Sequence, residues 1–95
     1  MNEGKLDSVR KFLIDVFPDW KITEKYDFDL AAQTFKVSNE RGSLLLKVGE
    51  NFIDDNNTEQ IVDMLNKWDV PSLLKQNPEV GLLVTSNGPQ SFERD

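Results

Sequence analysis

The chain contains neither cysteine nor histidine. Without thiols it can form no disulfide. Without thiolate or imidazole it lacks the ligands of typical zinc sites, the Cys and Ser–His nucleophiles, and imidazole acid–base chemistry. Long apolar runs are missing too. The first one, Phe12-Leu13-Ile14, is broken at once by Asp15, too short for a signal-peptide core or a membrane span. A cysteine-free chain with no visible targeting segment is expected in the cytoplasm. Positive charge is also scarce: 11 Lys and Arg face 17 Asp and Glu, for a formal net charge of −6. From position 51 onward only Lys67, Lys75 and Arg94 oppose Asp54, Asp55, Glu59, Asp63, Asp69, Glu79, Glu93 and Asp95. Such a chain is a poor non-specific ligand for nucleic acid or anionic membrane, so neither is expected as a partner.

What is present is the patterning of a small α+β domain. At 95 residues the chain can hold one core without covalent staples, and a single domain over 1–95 is expected, with residues 1–4 and the tail from about 87 loose. Its organising segment is 31–49, which reads as a β-hairpin. Phe35 and Val37 alternate with Thr34, Lys36 and Ser38, the break Asn39-Glu40-Arg41-Gly42 follows, and Leu44, Leu46 and Val48 alternate with Leu45 and Lys47. Two period-2 runs around a short loop ending in Gly are a hairpin signal.

Before the hairpin, Leu6, Val9, Phe12, Leu13, Val16 and Phe17 recur at helical spacing, and Pro18 should end that helix near Val16. Trp20, Ile22, Tyr26, Phe28 and Leu30 occupy even positions, with only Glu24 out of pattern. They predict a strand over 20–26 and a turn around Asp27-Phe28-Asp29. After the hairpin, Asp54, Asn56 and Thr58 stand at positions 1, 3 and 5 of a calcium-type loop, but Glu59 replaces the turn Gly and Leu65 the bidentate Glu. The run reads instead as a helix start, Asn57 capping and Gln60 reaching back. That helix carries Ile61, Met64, Leu65 and Trp68 on one face, and Trp20 and Trp68 are both expected to be largely buried. Asp69-Val70-Pro71 should break it and open a short turn through Leu73 and Leu74. Residues 80–86 read as a last strand, its Val80, Leu82 and Val84 facing one way and Leu83 the other.

The expected fold is therefore a two-layer α+β domain of order α-β-β-β-α-β: an antiparallel three-strand meander plus a fourth strand, with both helices on one face. Parity permits the fourth strand outside strand three or strand one, and the shorter connection favours strand three. The helix–β–β–β–helix order is shared with double-stranded-RNA-binding domains. Those place basic residues at the start of the second helix, where this chain has Asp54 and Asp55, so the resemblance carries no function over. RNA-recognition sheets present aromatics, whereas the outward positions here are Lys, Thr and Ser.

With the apolar sets turned to the helices, Lys21, Lys25, Lys36 and Lys47 share the open sheet face with Thr23 and Thr34. Leu45 and Leu83 should lie together there, beside an unprotected fourth-strand edge. These six non-threonine side chains are the candidate partner contacts. The reading is a non-enzymatic interaction or structural module with an unknown protein partner and no cofactor. It is expected to be a monomer, with a weak homodimer through strand four as the other state. The alternative is an acidic inhibitor or immunity-type protein whose 54–69 face blocks a basic nuclease or another basic partner.

Overall fold

The computed structural model describes residues 2–94. The fold is α+β: nine elements in the order α1 (Glu3–Val16), β1 (Lys21–Asp27), β2 (Ala32–Asn39), β3 (Gly42–Gly49), α2 (Glu50–Asp55), α3 (Thr58–Lys67), α4 (Val70–Gln76), β4 (Val80–Thr85) and β5 (Gly88–Glu93). The strands form one sheet in sequence order, antiparallel throughout except for the parallel β3–β4 pair. β4 thus lies outside strand three, as the shorter connection favours.

Register explains why one face is the core. Ile22 stands opposite Val37, which stands opposite Leu44. Phe35 opposes Leu46, which pairs with Leu82 on β4, and Val48 pairs with Val84. Partners directly opposite share a face, so this set lines a single surface. It packs in one cluster with Leu6, Val9, Phe12 and Leu13 of α1, Phe52 and Ile53 of α2, Ile61 and Leu65 of α3, and Val70 and Leu74 of α4. Glu24, the break in the strand-one pattern, also faces this side, opposite Phe35. It is accommodated by charge, not packing: its carboxylate accepts from the Arg10 guanidinium of α1 and from Gln33 Nε2 at 3.1 Å. Glu24 foremost, then Glu3, holds the Arg10 pKa above its usual value.

The structure corrects several expectations. Of residues 1–4, Asn2 is not loose: its side chain accepts from Lys5 N at 3.0 Å and caps α1. Residue 1 lies outside the described residues. The hairpin loop is two residues, Glu40-Arg41, because Asn39 and Gly42 still pair. Gly49 ends β3 and caps an additional helix, α2, that had no sequence signal. Its six residues offer only the adjacent pair Phe52-Ile53, which is too little for periodicity to register. Trp20 and Trp68 are half-buried rather than largely buried, since each sits at the end of an element. Trp20 packs edge-on against Phe17 and Trp68 is tilted against Phe52.

The largest difference lies at the C-terminus. From about 87 a loose tail was expected, but Gly88–Glu93 is β5, paired along β4 from Val80–Glu93 to Thr85–Gly88. Asp95 lies outside the described residues. The tight turn is Ser86-Asn87, and Gly88 leaves it at φ 105°, a conformation that excludes most side chains. Phe92 then covers Gly81, where an added Cβ would stand 2.1 Å from the ring. Arg94 locks the end, donating to Ser43 O and Oγ, both at 2.8 Å, and to Pro78 O at 2.9 Å.

The run at 54–59 closes one helix and opens the next. Asn56 Nδ2 donates to Phe52 O at the end of α2. Asn57 Oδ1 accepts from Gln60 N, and Gln60 Oε1 accepts from Asn57 N, both at 2.9 Å. This is the expected reciprocal cap. Asn57→Ala should cost about 0.5–2 kcal/mol in chemical denaturation, with Asn57→Asp close to wild type. Calcium should leave the melting temperature unchanged, and a calcium-dependent rise would contradict a purely capping role.

Candidate functional site

Among the described residues all four helices pack on the core side, and no secondary structure covers the other face of the sheet. Following the paired residues across the strands gives its map. One row runs Lys25–Thr34–Lys47–Leu83–Gln90. The next begins Thr23–Lys36–Leu45, and continuing the parallel register by one step brings it level with Gly81 and Phe92. Lys21 and Ser38 follow, opposite Ser43. The six expected contact residues therefore do share this face. Its β1–β2 half is cationic, with Lys21, Lys25 and Lys36 exposed. Its β3–β5 half is apolar, with Leu45, Leu83 and Phe92 half-buried.

Lys47 sits between the halves and is not a free cation. Its ammonium donates to Asp27 Oδ2 at 2.5 Å and lies 5.0 Å from the centroid of the Phe92 ring. Asp27 is the pivot of the adjoining turn as well, its Oδ1 accepting from Asp29 N at 3.0 Å and Leu30 N at 3.1 Å. That Asx-type lock sets the turn and leaves Phe28 86% exposed, its ring edge-on to Tyr26 at 4.8 Å. Tyr26 in turn donates to Glu50 at 2.9 Å, which raises the phenol's pKa. Between the turn and the sheet lies a hollow of about 400 Å³ lined by Lys25, Phe28, Asp29, Thr34, Leu45 and Lys47, among others.

The dimer interface expected at strand four does not survive. β4 pairs on both sides, with β3 and β5, so it offers no edge. Leu83 stands opposite Lys47, with Leu45 in the adjoining row, and the two leucines belong to the interior of the face. Sequence reasoning also missed Asp27 and Phe92. Alternation assigns a residue to a face but not a cross-strand partner, and a lone Phe92 beyond Asn87-Gly88-Pro89 gives no strand period to read.

The chain matches no protein-family model, and comparison with curated proteins and with solved structures gives no match. Among the described residues no group of three or more Asp or Glu is placed to hold a metal ion, and no helix is long and apolar enough to cross a membrane. On the helix side, Asp54, Asp55, Glu59 and Asp63 are exposed, and among the described residues none is in an ion pair.

The Asp27 carboxyl is held below the usual carboxylate range, first by the Lys47 hydrogen bond and then by the Leu30 N–H. A depressed folded-state pKa contributes stability that is complete above the unfolded value, near 4, and is lost as pH falls through the folded one. Asp27→Asn should therefore flatten the acid limb of the stability profile below about pH 4 and leave its slope near neutrality unchanged. An NMR titration placing the Asp27 midpoint at or above 4 would contradict the pairing.

Proposed function

We propose that the protein is a non-enzymatic protein-interaction module whose open sheet face is the docking surface. The observation that carries this reading is the division of that face: three exposed lysines on β1 and β2, in no ion pair among the described residues, beside an apolar half formed by Leu45, Leu83 and Phe92. On a chain of net charge −6, cations gathered on one surface favour an acidic partner by complementarity, and an adjoining apolar surface gives it something to bury against. A cytoplasmic setting fits the cysteine-free composition.

Affinity capture from the source cell should compare wild type with Lys21→Glu/Lys25→Glu/Lys36→Glu. Loss of the same captured protein in the triple variant supports the reading. If capture is unchanged there but disappears on neutralising Asp54, Asp55, Glu59 and Asp63, the alternative holds, an acidic inhibitor-type protein blocking a basic partner. That second reading is supported by the exposure of those four carboxylates without ion pairs among the described residues.

A further inference from the structure

Resting on that docking face, we infer that its occupant is an amphipathic helix with an apolar stripe and an acidic edge. Three observations converge on a helix. First, neither sheet edge suits strand addition: β1 carries Lys21 and Lys25, and β5 carries Pro89, which has no N–H to donate. Second, five strands spaced ~4.8 Å apart make a face roughly 19 Å across, which accommodates one helix of about 10–12 Å diameter. Third, the face is relieved rather than flat. Phe28 is held out at one end by the Asp27 turn, and the hollow beneath it is sized for a partner's apolar side chain.

The acidic edge follows from charge. Within the strands of this face four lysines stand against one carboxylate, Asp27, which Lys47 already occupies. Asp29 also lines the hollow and disfavours carboxylates at that end, so the partner's acids should face Lys21, Lys25 and Lys36. A helix with Leu or Phe along one stripe would lie over Leu45, Leu83 and Phe92. Its Asp or Glu, one helical step away, would then reach the lysines of β1 and β2. Nucleic acid fits less well. The Phe92 ring is laid on Gly81 with the Lys47 ammonium 5.0 Å from its centroid, so it is not presented for base stacking, and the excess of acids elsewhere repels a polyanion.

A phage-displayed library of helical peptides, selected against the whole protein, tests this. The expected winners carry apolar residues at i, i+3, i+4 and i+7 with Asp or Glu along one edge. As synthetic peptides they should lose more than about 10-fold in affinity to Lys21→Glu/Lys25→Glu/Lys36→Glu and to Leu83→Asp, a tenfold loss being about 1.4 kcal/mol, with circular dichroism confirming that each variant is folded. Winners that bind this face but are extended, or show no acidic enrichment, overturn the helix and leave the docking reading intact. Winners indifferent to both variants, together with cellular capture indifferent to the lysines, overturn both. Tighter binding of single-stranded polyuridylate than of any selected peptide, lost in the lysine variant, also overturns it.

Discussion

Phe35→Ala should be among the most destabilising single substitutions in the chain. The ring is fully buried at the middle of β2, opposite Leu46 and Glu24. Truncating a Phe in such a position removes its transfer energy and leaves a cavity, at a cost of about 3–5 kcal/mol. A chain of this length has a total stability of about 5–14 kcal/mol, so at least about a fifth of it is lost in one substitution. Chemical denaturation should show the lower midpoint, and Phe35→Leu should recover most of the loss. Trp68→Ala, by contrast, should cost less than Phe35→Ala, because Trp68 is only half-buried. If the two substitutions cost the same, the core is not centred where the register places it.

The second large effect concerns the C-terminal strand. Ending the chain after Asn87 would be harmless if the tail were loose. In the observed fold it removes β5, the Phe92 ring over Gly81, and the three Arg94 hydrogen bonds to Ser43 and Pro78. Half-burial of Phe92 and a charged, multiply bonded guanidinium together give about 3 kcal/mol, equivalent to a fall in Tm of about 12 °C or more. The truncation would also turn Leu82-Leu83-Val84 into an unpaired apolar edge, so concentration-dependent aggregation should accompany it. Gly81→Ala in the full chain should partly reproduce the defect by displacing Phe92, with faster amide exchange confined to β5. A truncated chain as stable and as monomeric as the intact one would mean that β5 contributes nothing.

The contrast between these two sites shows what the sequence carries and what it omits. Phe35 and Val37, Leu44, Leu46 and Val48 announce their own face, because a buried strand needs period-2 alternation whatever its partner. Asn57 and Gln60 announce a cap by spacing alone. β5 announces little: Gly88-Pro89 reads as a turn, Gln90 and Ser91 are polar, and Phe92 stands alone. What makes it a strand is a glycine eleven positions earlier that leaves room for the ring, together with an arginine that reaches the start of β3. Both are long-range facts. The docking face follows the same division. Parity was enough to bring Lys21, Lys25, Lys36 and Lys47 to one side. Knowing that Lys47 is already spent on Asp27, and that the β4 edge is closed, required register.

The parallel β3–β4 pair has a consequence for how the chain reaches this fold. The other three strand pairs are hairpins closed by loops of a few residues. β3 and β4 meet only after α2, α3 and α4 have been threaded between Gly49 and Val80. Loop-closure entropy makes such non-local pairing the expensive step. The β1–β3 meander and the β4–β5 hairpin are each closed by short loops, so joining them, when Leu82 and Val84 come to rest beside Leu46 and Val48, is the step expected to set the folding rate.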